Sequence, residues 1–271
     1  MLPRMESKLA VLERHLGALE SVVVAYSGGL DSAFVLAVAH RVLGERAVGL
    51  TAFSPSVPMR ERADAARIAE ELGARHLVVE SQELHDPRYA ANAADRCFYC
   101  KSELYQLTEH KRRELGFAHV VNGTNVDDLG DYRPGLEAAK AAAVQSPLVA
   151  VDLHKDEIRA LAKQLGLTFW DKPAAACLSS RIPYGTPVTR KRLSQIEQLE
   201  DALHALGLRQ LRVRHHETLA RVEVAQDELE AAFAQRAAIV AAGKEAGYTY
   251  VALDLAGYRM GSLNAVLRVV R

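Results

Sequence analysis

The sequence predicts an α/β protein: an N-terminal doubly wound parallel sheet followed by a smaller C-terminal α+β domain. Two observations lead there. Between residues 21 and 166, short apolar runs rich in β-branched residues alternate with stretches of helical apolar spacing, the order of repeated βαβ units. Residues 170–189 then form a long irregular stretch punctuated by Pro173, Pro183, Gly185 and Pro187, and beyond it two short runs of alternating polarity stand close together. The boundary is expected inside that loop, giving domains 1–170 and 171–271.

Taken in order, residues 1–20 read as an amphipathic helix, with acids, bases and a histidine among periodic leucines and no signal-peptide pattern. Residues 21–26 form an apolar strand of the kind buried on both faces of a parallel sheet. A Ser-Gly-Gly turn breaks it, and Asp31 opens a helix over 32–43. Strands are expected at 47–53, 75–80 and 119–122. Helices are expected at 60–72, 97–115, 134–143 and 152–165, three of them closed by Gly73, Gly116 and Gly166. In the second domain, 190–206 and 227–246 read as helices, and 209–215, 220–224 and 248–255 as strands.

Composition bounds the function. The chain has 271 residues, 49% hydrophobic and 25% charged, ordinary values for a soluble protein, and holds no apolar run long enough to span a bilayer, so a cytoplasmic protein is expected. Lys+Arg and Asp+Glu balance at 34 each, which argues against a nucleic-acid partner and for a small-molecule substrate. Three cysteines, Cys97, Cys100 and Cys177, are too few for a disulfide framework in a chain this size, leaving metal binding or catalysis as the informative readings.

The chain centres on Ser27-Gly28-Gly29-Leu30-Asp31-Ser32. Strand, glycine turn and helix N-terminus together make an anion site, because the glycines let backbone amides approach phosphate and the helix dipole favours negative charge. There is neither a G-x-x-x-x-G-K-[ST] nor a G-x-G-x-x-G. The hexapeptide resembles the S-G-G-x-D-S pyrophosphate loop (PP-loop) of the ATP pyrophosphatase superfamily, whose members cleave ATP between the α- and β-phosphates. An ordinary turn with Asp31 as helix cap is the bland alternative.

Cys97 and Cys100 lie three apart at the start of a helix, with Asp95 as N-cap, so that both sulfurs share one face; Arg96 and Lys101 beside them favour thiolate. Buried structural cysteine is the competing reading. Cys177 in the irregular loop, near Lys172 and Arg181, suits a nucleophile or a third metal ligand, and three thiolates would leave one metal position open. Asp127, Asp128 and Asp131 follow a strand end, where Asp128 could meet Mg²⁺ on ATP phosphates; a solvated turn is the alternative. If 209–215 and 220–224 pair as a hairpin, Arg212, Arg214 and Glu223 share a face suited to a phosphate or carboxylate, unless that face is simply solvated.

Five segments together resemble the LarE family, in order and across nearly the whole chain. They are the Ser27 loop, Arg96-Cys97-Phe98-Tyr99-Cys100-Lys101, Asn122-Gly123-Thr124-Asn125, the run from Cys177 through Arg181 to Gly185, and Arg212-Val213-Arg214-His215-His216. The resemblance implies an ATP-dependent sulfur transferase that adenylates a carboxylate of a pyridinium dicarboxylate mononucleotide and makes it a thiocarboxylate, a step towards a nickel-pincer nucleotide cofactor. It implies ATP contacts at Ala25, Ser27, Gly28, Gly29, Asp31, Ser32, Thr51, Gly123 and Thr124, and catalytic roles for Asp31, Lys101 and Cys177. Substrate contacts would fall to Arg181, Arg212, Arg214 and Glu223. Sulfur would come sacrificially from Cys177 or from a four-iron four-sulfur cluster on Cys97, Cys100 and Cys177, and the extra cysteine pair favours the cluster. The family also implies a homo-oligomer working alongside other cofactor-biosynthesis proteins, and the helices over 1–20 and 228–242 offer apolar faces for such packing. Two alternatives are a tRNA thiolase of the same superfamily and a nucleotide-binding module without chemistry.

Overall fold

The structure, a computed structural model, describes residues 2–130 and 134–259. Its elements run α1 (Leu2–Gly17), β1 (Val22–Ala25), α2 (Leu30–Leu43), β2 (Ala47–Phe53), α3 (Met59–Glu71), β3 (Arg75–Glu80), α4 (Pro87–Ala90), α5 (Arg96–Glu114) and β4 (His119–Val121). They continue with α6 (Pro134–Ala141), α7 (Pro147–Ala150), α8 (Lys155–Gln164), α9 (Arg190–Ala205), β5 (Leu211–His216), β6 (Leu219–Val224), α10 (Leu229–Ala234), α11 (Arg236–Glu245) and β7 (Tyr250–Leu253). The chain forms two compact units, the first comprising Met1–Ser54, Met59–Glu83 and Asp95–Ala175, the second Pro55–Pro58, Leu84–Ala94 and Ala176–Arg271.

The first unit is a four-stranded parallel sheet in the order β3-β2-β1-β4. Alternate residues of β1 serve opposite faces, as strand geometry requires. Val22 and Val24 join the main core with Leu12 and Leu16 of α1, Phe34, Val35 and Val38 of α2, Ile68 of α3 and Ile158 and Leu161 of α8. On the other face Ala25 packs with Tyr105 of α5 and Ala138 and Ala139 of α6. Helices therefore cover both faces, the doubly wound arrangement that the sequence predicts. The strand order reverses between β1 and β4, which opens a crevice at the carboxyl ends of those two strands, where open α/β sheets bind ligands.

The second unit carries a small sheet, β5-β6-β7, in which β5 and β6 pair antiparallel and β7 adds in parallel to β6. Arg212 stands opposite Glu223 and Arg214 opposite Arg221. Both faces are covered: Arg212, Arg214 and Glu223 are all buried, so the solvated-face reading of this hairpin is set aside. Two helix expectations change. The helix expected over 152–165 begins only at Lys155, because Asp152 takes a left-handed φ of 57° and His154 forms a capping box with Glu157. The helix expected over 227–246 is interrupted at Gln235, whose side chain donates to the Leu206 carbonyl.

Candidate functional site

In the first unit the crevice is built by the turns after β1 and β4. Gly28 has a φ of 72°, and a Cβ there would lie 2.7 Å from that of Ala65, so the turn closes only with glycine. Gly29, not Asp31, is the N-cap of α2, so the N-cap position carries no side chain, and the Gly29 amide donates to Ser27 Oγ at 3.3 Å. The first-turn amides and the positive end of the dipole are thus presented at the turn, where an anion is favoured. Two hydroxyls brace it: Ser32 Oγ donates to the Gly29 carbonyl (3.1 Å), accepts from the Ser27 amide (3.1 Å) and lies 3.0 Å from Ser27 Oγ. Thr51, at the carboxyl end of β2, is buried and donates to the Tyr26 carbonyl at 2.7 Å, with His76 Nε2 2.8 Å from its hydroxyl; it supports the backbone leading into the turn.

The segment after β4 lies flush against this turn. A Cβ on Gly123 would sit 2.5 Å from the Ser32 amide nitrogen. Asn122 and Asn125, both buried, fold the segment: Asn122 Oδ1 accepts from the Thr124 amide (3.0 Å) and Ser146 Oγ (2.9 Å), while Asn125 Oδ1 accepts from the Asp127 amide (2.9 Å). Asp128 Oδ2 accepts from the Asn125 amide at 3.1 Å. Asp131 lies outside the described residues.

Asp31 is the electrostatic centre of the crevice. Burial raises its pKa above the ordinary aspartate value, the charge of Asp128 adds to that, and Lys155 opposes it. Lys155 Nζ donates to Asp31 Oδ2 at 2.5 Å and the Asn125 side chain also favours the ionised form, whereas Asp31 Oδ1 is buried and makes no hydrogen bond among the described residues. An orphaned carboxylate oxygen beside a phosphate-type turn fits Mg²⁺, which takes one or two carboxylates and completes its shell with water and phosphate. Sequence reasoning missed Lys155. The available signal was a lysine in the first turn of a helix, where the dipole disfavours cations.

Cys97 and Cys100 occupy the first turns of α5, Cys97 exposed and Cys100 half-buried, and neither is in a disulfide. Asp95 is the N-cap position but makes no side-chain cap; its carboxylate accepts from Tyr99 Oη at 3.1 Å. The start of α6 packs close to this turn, since a Cβ on Gly135 would lie 3.0 Å from Lys101 Cγ. Among the described residues no group of three or more His, Cys, Asp or Glu side chains is assembled as a metal site.

In the second unit Cys177 is half-buried and precedes a 3-10 turn, Leu178–Arg181. Arg181 is an internal residue there, its side chain 1% exposed and paired with Glu200 of α9. Arg214 pairs with Glu223 at 2.7 Å, and Arg221 reaches the same carboxylate at 3.1 Å and also Asp254. Arg212 lies over the Tyr258 ring, 5.1 Å from its centroid, with a pKa lowered by burial first and by the neighbouring Arg181 charge second.

Comparison with known proteins identifies the family. The asparagine synthase family model matches residues 10–112, the span from α1 through most of α5. An uncharacterized protein of Synechocystis sp. is 43% identical over 97% of this chain and 99% of its own length. Pyridinium-3,5-bisthiocarboxylic acid mononucleotide synthase of Lactiplantibacillus plantarum is 36% identical over 96% of this chain and 95% of its own. A tRNA-specific 2-thiouridylase of Rickettsia felis is more distant, 29% identical over 59% of this chain and 54% of that enzyme. With the SGGxDS turn at the sheet's reversal point and near-complete alignment to the pyridinium-nucleotide synthase, the chain belongs to the LarE family of PP-loop, ATP-using sulfur transferases.

Proposed function

We propose that this enzyme adenylates a carboxylate of a pyridinium dicarboxylate mononucleotide and converts it to a thiocarboxylate, a step in making a nickel-pincer nucleotide. The observation that supports it most directly is the glycine turn at the start of α2 with Asp31 Oδ1, buried and without a hydrogen bond among the described residues, beside it. A carboxylate resists nucleophiles. Attack of its oxygen on the α-phosphorus breaks the bond to the bridging oxygen and releases pyrophosphate, leaving an acyl-adenylate whose carbonyl carbon a sulfur nucleophile can attack with AMP leaving. Ser27, Gly28, Gly29 and Ser32 hold phosphate through amides and hydroxyls, with Ala25 and Thr51 setting the strand ends and Gly123 and Thr124 closing the opposite wall. Lys155 supplies the cation for the departing pyrophosphate, and Mg²⁺ would be held by Asp31 with Asp128, where it offsets phosphate charge. Lys101 takes the developing charge at the carboxylate, Arg212 with Arg214 grips the substrate's own phosphate, and Glu223, which pairs with Arg214, is a further metal or substrate ligand.

For the sulfur, three cysteines outside disulfides are the donor type that iron–sulfur clusters use. Cys97, Cys100 and Cys177 would hold a four-iron four-sulfur cluster, which would supply exchangeable sulfide. The enzyme works on a small molecule and self-associates. Phe233, Tyr250 and Leu255, all exposed apolar side chains, support self-association.

The test is anaerobic turnover with ATP and the dicarboxylate nucleotide. Expected are pyrophosphate release, a product carrying sulfur in place of oxygen, iron-dependent activity, and an unchanged protein mass. Loss of H₂S from Cys177 after turnover would replace the cluster with self-sacrifice, and tight, salt-sensitive binding of bulk tRNA at near-physiological salt would favour the thiolase reading. ATP binding without pyrophosphate release would mark a nucleotide-binding module.

A further inference from the structure

Among the second unit's buried charges, one group touches the backbone around Cys177 directly. Arg181 uses its guanidinium in two directions. Nε and Nη2 donate to Glu200 at 2.9 and 3.0 Å, and Nη1 donates to the carbonyls of Ala176 (2.6 Å) and Cys177 (2.8 Å) and to Ser180 Oγ (3.1 Å). The Cys177 carbonyl also accepts from Ser180 Oγ (2.7 Å) and the Ser180 amide (3.0 Å). Three residues on, the Ser180 carbonyl accepts from Arg214 Nη1 at 3.0 Å, and Leu178 is fixed by its amide to the Ser56 carbonyl at 2.8 Å.

Each guanidinium is in turn held by a buried acid. Glu200 is 2% exposed and also accepts from the Val213 amide at 2.9 Å, which ties α9 to β5; Glu223 is 0% exposed. Burying ionised pairs adds little net stability, because desolvation offsets most of the attraction, so their physical value here is positional. An arginine whose donors are taken by a carboxylate and three turn oxygens, at 1% exposure, has no face left for a substrate. The half-exposed thiol beside it sits on backbone that cannot shift without breaking that set.

We propose that Arg181, oriented by Glu200, is a positioning residue that fixes the Cys177 backbone and so sets where its sulfur is presented, rather than a ligand of the substrate. This rests on the sulfur-transfer reading in one respect only: the reaction that the fixed sulfur serves. The buried ion pair explains why the turn needs arginine, since lysine cannot fork onto Glu200 while also reaching the turn carbonyls.

The experiment compares the full-length protein with Arg181→Lys and with Ser180→Ala, which removes one hydroxyl from the set: a donor to the Cys177 carbonyl and an acceptor from Arg181 Nη1. Iodoacetamide alkylation of iron-free protein is followed at the Cys177 peptide by mass spectrometry, alongside pyrophosphate release, substrate KM and the rate of sulfur transfer. For Arg181→Lys, Cys177 should alkylate at least threefold faster and sulfur transfer should fall at least tenfold. Pyrophosphate release and KM should stay within twofold. Ser180→Ala should move alkylation and transfer in the same directions by a smaller factor, and it decides the matter if the lysine variant does not fold. A tenfold rise in KM with transfer retained would make Arg181 a substrate ligand and overturn the proposal. So would alkylation and transfer that match the parent in both variants. If the parent itself releases no pyrophosphate, the sulfur-transfer reading fails while the alkylation contrast still tests the clamp.

Discussion

At the scale of single residues, Asp31 and Lys155 make the sharpest expectations. Burial raises the Asp31 pKa, so the carboxylate binds a proton at a higher pH than an exposed aspartate, whose pKa is about 3.9. Activity needs the ionised form to hold Mg²⁺, so pyrophosphate release should fall as pH drops, with a midpoint above that ordinary value. Lys155 opposes the shift, so Lys155→Met should move the midpoint further up in a pH–rate profile and lower the plateau about tenfold or more. A profile that keeps the parent's midpoint would remove Lys155 from the site. Asp31 was legible in the sequence because its motif is local. Lys155 was not, since 124 residues separate it from its partner and only the parallel sheet brings the two together. Cys97→Ser offers a second contrast: a cluster enzyme loses sulfur transfer, a sacrificial one retains it, and assays of thiolated product separate the two.

At the scale of elements, close packing between the two turns is what makes the crevice. Gly123 has no unusual φ, so the obstacle to alanine there is the backbone at the start of α2: the Ser32 amide nitrogen 2.5 Å, the Ser32 Cα 2.7 Å and the Asp31 carbonyl carbon 2.9 Å from the added Cβ. Gly123→Ala should therefore fold, push the segment after β4 off the start of α2, and reduce pyrophosphate release about a hundredfold, the usual scale for a reacting group displaced by an ångström. Near-parent release would mean the two turns need not touch. Glu200→Gln tests the tie between α9 and β5. The Arg181 charge and hydrogen bonds hold the Glu200 pKa below its ordinary value despite burial, so its contribution is present above the unfolded pKa, about 4.3, and is lost as pH falls through the lower folded value. At neutral pH the variant leaves Arg181 buried without its counter-charge, and urea unfolding should show a loss of about 3–5 kcal/mol that shrinks on acidification. Periodicity located these elements well where one face is apolar. It failed over 227–246, where Gln235 interrupts an alanine-rich run that reads as helical throughout, and it gave no hint that Arg212, Arg214 and Glu223 alternate onto a buried face.

At the scale of the molecule, the sequence offered a single cut near residue 170, but the second unit also incorporates Pro55–Pro58 and Leu84–Ala94. Nothing in the composition of those segments marks them, because their partners are distant in the chain: those of Tyr89 and Asn92 lie about ninety residues downstream and the Ser56 carbonyl accepts from Leu178. Asn92, fully buried at a left-handed φ of 56°, donates through its amide to the Pro183 and Thr186 carbonyls at 2.8 and 2.9 Å. Its own carbonyl accepts from Gly185 at 3.0 Å, and buried Tyr89 meets Ser179 Oγ at 2.7 Å. A chain ending at residue 170 removes every one of these partners and the residues packed around them, so the segment loses the hydrogen bonds that order it. In such a truncation, hydrogen exchange should reach residues 84–94 rapidly while β1 and β2 stay protected by their sheet partners and the core of α1, α2 and α8. Protection of 84–94 equal to that in the full chain would mean the segment is held by the first unit, and that the two units divide at residue 170 after all.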